Sequence, residues 1–63
     1  MVKFDELKVG QTVVVRDWFG DAIRGVIEDV CEDVKNGRPG IVYLNSKKEG
    51  YWCYLNQIER IVA

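Results

Sequence analysis

Tyr51-Trp52-Cys53-Tyr54-Leu55-Asn56-Gln57-Ile58 is the stretch whose reading decides the fold. Three of its first four residues are aromatic, and aromatic side chains suit a pleated, half-buried surface. The first half therefore reads as a strand. Asn56-Gln57 is turn chemistry, so the strand cannot simply continue. Ile58-Glu59-Arg60-Ile61-Val62 then resumes an apolar pattern. A strand, one tight turn and a second short strand form the closing unit of a small barrel. The rest of the chain supplies three strands for it to close on. Trp52 and Tyr54 share a face by strand alternation. At least one of them is expected in the core with Ile27, Ile41 and Ile58.

Outward from that unit, Ser46–Gly50 reads as a hairpin tip and Ile41–Asn45 as the third strand. Glu32–Gly40 reads as a loop with two turn signals, Asn36-Gly37 and Pro39-Gly40. Ala22–Cys31 is the second strand. Ile23, Gly25 and Ile27 share one parity and Val30 has the other, which marks a bulge near Glu28-Asp29. Gly25 marks a bend or a close backbone approach. A second strand bent this way lets a five-stranded sheet curl on itself. Gln11–Arg16 is the first strand, with Val13 and Val15 facing inward and Thr12, Val14 and Arg16 outward. Phe4 and Leu7 tuck a lead-in segment against the core, and Gly10 limits any helix there to a single turn. The fold class is all-β, five strands in one domain, residues 1–63, with a short 3-10 turn before the last strand.

Composition narrows the function. Apolar residues make up 48% and charged residues 30% of the chain, a globular balance rather than a disordered one. The net charge of −1 gives no general attraction to phosphate. The charge is dipolar, acidic through residue 33 and basic after it, with Lys35, Arg38, Lys47 and Lys48 in or beside loops. No apolar run is long enough to span a membrane. Met1-Val2-Lys3-Phe4-Asp5-Glu6 turns acidic too early for a signal peptide, which places the chain in the cytoplasm. Cys31 and Cys53 form no metal or redox motif and read as reduced, structural thiols.

Catalytic chemistry finds little footing. There is no histidine, so no imidazole base and no imidazole metal ligand. Ser46 sits in a hairpin tip, and neither cysteine has a histidine partner. The carboxylates of Asp5-Glu6, Glu28-Asp29 and Glu32-Asp33 are adjacent, and neighbours on a strand point to opposite faces. The glycines form no phosphate loop. The reading is a non-enzymatic chain with no catalytic residue, cofactor or metal.

The order of parts resembles the SH3-like small barrels, including Tudor and KOW domains. The resemblance rests on Val9–Val15 leading into strand one, Gly25–Val30 on bent strand two, and Trp52–Ile58 as strand, turn and strand. The chain also resembles short barrels encoded by bacteria and their phages. Such barrels bind. A Tudor-type cage would draw on Trp18, Phe19, Tyr43 and Tyr54 with Asp21 as its acid, and an SH3-type groove on Asp17, Asp21, Trp18 and Trp52. Independently of the resemblance, Asp17-Trp18-Phe19-Gly20-Asp21 sets two large rings in a loop, the kind of anchor that dominates protein interfaces. The expected function is protein–protein binding through Asp17, Trp18, Phe19 and Asp21, as an adaptor or accessory subunit. Nucleic-acid binding through Arg38, Lys47 and Lys48 is the alternative. Simple strand alternation places the Lys35–Arg38 loop at the end opposite the Lys47–Lys48 tip, and the Trp18 loop beside that tip.

Overall fold

A three-residue turn, Leu55–Gln57, joins the two edges of the sheet and so dictates its shape. The computed structural model describes residues 1–63. Its strands are β1 Thr12–Arg16, β2 Ala22–Lys35, β3 Arg38–Leu44, β4 Gly50–Tyr54 and β5 Ile58–Ile61. Short 3-10 turns lie at Phe4–Glu6 and Leu55–Gln57. The order across the sheet is β4-β3-β2-β1-β5, and every pairing is antiparallel.

Laid flat, five strands would hold β4 and β5 about 19 Å apart. A three-residue 3-10 turn rises only about 6 Å. The sheet must therefore curl until its edges approach. Two features make the curl possible. Ile27 pairs with Tyr43 and Asp29 with Val42, which leaves Glu28 as the extra residue of a bulge where one was expected. At Gly25 an added Cβ would lie 2.5 Å from Cδ2 of Tyr43, so only glycine admits that ring.

Where the expected barrel would close, β4 and β5 share no hydrogen-bonded ladder, and the five strands form a curled antiparallel sheet. One side chain spans the seam instead. Gln57 accepts a hydrogen bond from Tyr54 N at the end of β4, at 2.9 Å. It donates to the Arg16 carbonyl at the end of β1, at 3.1 Å.

The core is Val13, Val15, Ile27, Ile41, Tyr43, Cys53 and Ile58, capped by Val2 and Leu7 from the lead-in segment. Val14 is also buried yet lies outside that cluster. It keeps its outward parity, but Arg24 and Arg60 stand opposite it on the two neighbouring strands. Aliphatic arginine stems can cover a valine from both sides.

Two readings of the sequence need correction. The stretch 32–40 is not a loop: β2 runs on to Lys35 and β3 begins at Arg38. Only Asn36 and Gly37 turn, both at positive φ (58° and 70°), as a two-residue hairpin of this type requires. Pro39 lies within β3, in the irregular interval where pairing shifts between Cys31 and Lys35 and a missing N–H does little harm. The second correction is in β4. Cys53 is the buried residue, while Trp52 and Tyr54 are only half-buried. A curled sheet of this size has no room for indole beside Ile27, Tyr43 and Ile41, so the small thiol faces in and the rings face out.

Candidate functional site

Turning β4 this way puts its aromatic rings where another element can reach them. The loop between β1 and β2 does so. Asp17 Oδ1 accepts hydrogen bonds from Phe19 N at 2.9 Å and Asp21 N at 2.8 Å, which fixes the loop as a tight turn. Gly20 supplies a positive φ of 86°. The loop sets Trp18 edge-on to Trp52, with ring centroids 5.8 Å apart, and to Tyr54 at 6.0 Å. Trp52 and Tyr54 are edge-on to each other at 5.2 Å. Three rings thus meet in mutually steep pairs, the arrangement favoured by the aromatic quadrupole.

Two cations lie over this cluster. Lys35 Nζ is 5.2 Å from the Trp52 ring centre, and the Arg38 guanidinium is 4.0 Å from that of Tyr54. Asn36 donates to the Tyr54 hydroxyl at 3.0 Å and ties the β2–β3 turn to the ring. Neither cation has a carboxylate within salt-bridge distance; Arg16 with Glu59 is the ion pair of the fold. The positive charge expected far from Trp18 is therefore beside it. Simple alternation failed because it assumes an untilted sheet. Tilt and stagger in a curled sheet carry the end of β4 round to the end of β1.

Between the loop and β4 runs a groove of about 310 Å³, with Trp18, Phe19, Tyr51 and Trp52 among its walls and Cys53 and Tyr43 at its floor. Its large apolar side chains are open to solvent: Trp18 is 64% exposed, Phe19 89% and Tyr51 48%.

Of the expected protein-binding residues, Asp17, Trp18 and Phe19 line the groove and Asp21 does not. Asp17 is a turn-former whose carboxylate is engaged by the loop. The cage set is only partly assembled: Trp18 and Tyr54 meet, but Tyr43 is core and Phe19 projects outward. Of the alternative nucleic-acid set, Arg38 reaches the rings, whereas Lys47 and Lys48 lie in the β3–β4 turn. That turn is organised by Asn45, whose Oδ1 accepts from Lys47 N and Glu49 N, each at 2.9 Å.

Sequence reading missed Tyr51 and Gln57 as contributors; it offered Trp52 both to the core and to a groove with Asp17 and Trp18, and Trp52 lines that groove. Cys53 was the available signal. Alternation allows either Cys53 or its two aromatic neighbours to face inward, and the small residue suits a small interior better.

The thiols differ in setting. Both are free. Burial pushes Cys53 up to about 12. Desolvation, and then the Asp29 carboxylate, hold Cys31 above its ordinary range. Tyr43 is raised as well, mainly by burial. Each shift favours the protonated form of its group. No set of three His, Cys, Asp or Glu side chains is grouped to hold a metal ion. No helix is long and apolar enough to cross a membrane.

No family model matches the chain, and no curated protein or solved structure is significantly similar to it.

Proposed function

We propose that the chain is an SH3-like small barrel acting as a non-enzymatic protein-binding module or accessory subunit in the cytoplasm. The groove between the Asp17–Asp21 loop and β4 is its docking surface. The observation that supports this most is the exposure of Trp18 and Phe19 beside Tyr51 and Trp52. Exposed rings gathered around one groove carry the kind of apolar surface that interfaces use.

Nucleic-acid binding is the second reading, favoured by Lys35 and Arg38 lying against rings. Bases stack on open aromatic faces. Here the chain's own cations already cover a face of Trp52 and of Tyr54, and Lys47 and Lys48 lie outside the groove. The protein reading is therefore preferred. A displayed library of random nonapeptides and a labelled oligothymidine, offered to the intact chain near physiological salt, separate the two. Enrichment of peptides without oligonucleotide binding supports protein docking. Salt-dependent oligonucleotide binding, lost when Arg38, Lys47 and Lys48 are reversed in charge, would replace it.

A further inference from the structure

The walls of the groove carry a detail that the protein-docking reading does not use. Tyr51, Trp52 and Cys53 are consecutive, and all three line it. Consecutive strand residues point to opposite faces, so a groove touching all three runs along the backbone edge of β4. That edge is free, since β4 pairs with β3 alone.

The ladder shows which groups the edge offers. Asn45 N donates to the Glu49 carbonyl at 3.1 Å, so that pair turns its backbone groups toward each other. Antiparallel pairs alternate in this respect. With Leu44 opposite Gly50, Tyr43 opposite Tyr51 and Val42 opposite Trp52, Tyr51 and Cys53 direct their N–H and C=O toward β3. Gly50, Trp52 and Tyr54 direct theirs to the open side. The Tyr54 N–H confirms the alternation, because Gln57 caps it from that side. Gly50 and Trp52 retain two N–H and two C=O groups with no partner inside the chain.

Resting on the protein-docking reading, we propose that the partner is an extended peptide segment that adds to β4 as a sixth strand. It would pair with Gly50 and Trp52 and stop where Gln57 occupies the edge. Strand addition draws affinity from main-chain hydrogen bonds and specificity from pockets for alternate side chains. Trp18 and Phe19 on one side and Tyr51 on the other form those pockets, so the peptide carries apolar side chains there. Charge complementarity fixes one end. Lys35, over Trp52, and Arg38, over Tyr54, have no carboxylate partner, so an acidic residue belongs at the peptide end nearest Tyr54.

The test is amide hydrogen exchange of the intact chain with peptides selected from the nonapeptide library. The proposal requires slowed exchange at Gly50 and Trp52, and acidic residues enriched at one end of the peptides. N-methylating the peptide amides that face β4 should weaken binding about ten-fold, the loss of one or two ordinary hydrogen bonds. Peptides that bind while Gly50 and Trp52 exchange at the free rate, with N-methylation harmless, would overturn strand addition and leave protein docking standing. Failure of the library to yield any binder would overturn both. Protection of Gly50 and Trp52 without peptide, growing with protein concentration, would assign the edge to a second copy of this chain and also overturn the proposal.

Discussion

Gln57→Ala removes the side chain that spans the seam between β4 and β1. Two hydrogen bonds are lost, one accepted from Tyr54 N and one donated to the Arg16 carbonyl. Each is worth about 0.5–1.5 kcal/mol, so the pair is worth about 2 kcal/mol. A chain of 63 residues has a total stability of about 3–9 kcal/mol at ordinary per-residue values. One substitution on a half-buried polar side chain therefore removes a large part of it. In a domain this small, 2 kcal/mol lowers the melting midpoint by about 8–16 °C. Gln57→Glu is the informative companion. It keeps an acceptor for Tyr54 N but, when ionised, has no donor for the Arg16 carbonyl. It should lose about half as much near neutrality and recover on acidification, when the protonated carboxyl can donate again. Circular dichroism melts at pH 7 and pH 4 read all three chains. A midpoint for Gln57→Ala within 2 or so degrees of the parent would refute the role of this strut.

Three other outcomes follow from the packing. Gly40→Ala would drive a Cβ into the Cys53 carbonyl, a backbone clash no rotamer relieves; urea denaturation should show a loss of about 1–3 kcal/mol. Trp52→Ala should leave a cooperative fold and cost about 1–2 kcal/mol, mostly edge-on ring contacts, whereas Ile41→Ala, in the core, should cost about 2–5 kcal/mol; the reverse order in the same assay would return Trp52 to the core. Stability should fall in alkali. Cys53 is held protonated to about 12 in the folded chain against 9.0 as its ordinary value, so the unfolded chain releases the proton first. This stabilisation is complete below pH 9 and is lost as pH rises toward 12. Tyr43, also raised, adds in the same direction. Urea midpoints from pH 8 upward check the slope, and Cys53→Ala should flatten its first part.

Much of the fold was legible because local chemistry and long-range pairing agreed. The parity switch across Glu28 had one physical meaning, and the bulge is there. Leu55–Gln57 joins strands that a flat sheet would hold far apart, so curling was implied by the chain itself. The extent of β2 was hidden. Glu32 and Asp33 are exposed, and a polar pair on a projecting hairpin looks the same in sequence as a loop. The inward residue of β4 was hidden for a different reason. Alternation fixes which residues share a face but not which face is buried, and indole hydrophobicity argued for the wrong one. The site was half legible. Trp18 and Phe19 stood out as rings in a loop, but their meeting with Trp52, Tyr54, Lys35 and Arg38 depends on the stagger of a curled sheet, which no local pattern encodes.

The most direct test of the docking surface is one titration: a library-selected peptide against the parent chain and against Trp18→Ser/Phe19→Ser. Both rings are largely exposed. The double substitution removes only the edge-on contacts of Trp18, worth about 1 kcal/mol per aromatic pair. With two such pairs, to Trp52 and Tyr54, the variant should remain folded with its melt lowered by about 8–16 °C, and should lose peptide binding. A folded variant that binds the peptide as tightly as the parent would contradict the account, and a variant that no longer folds would show the two rings to be core.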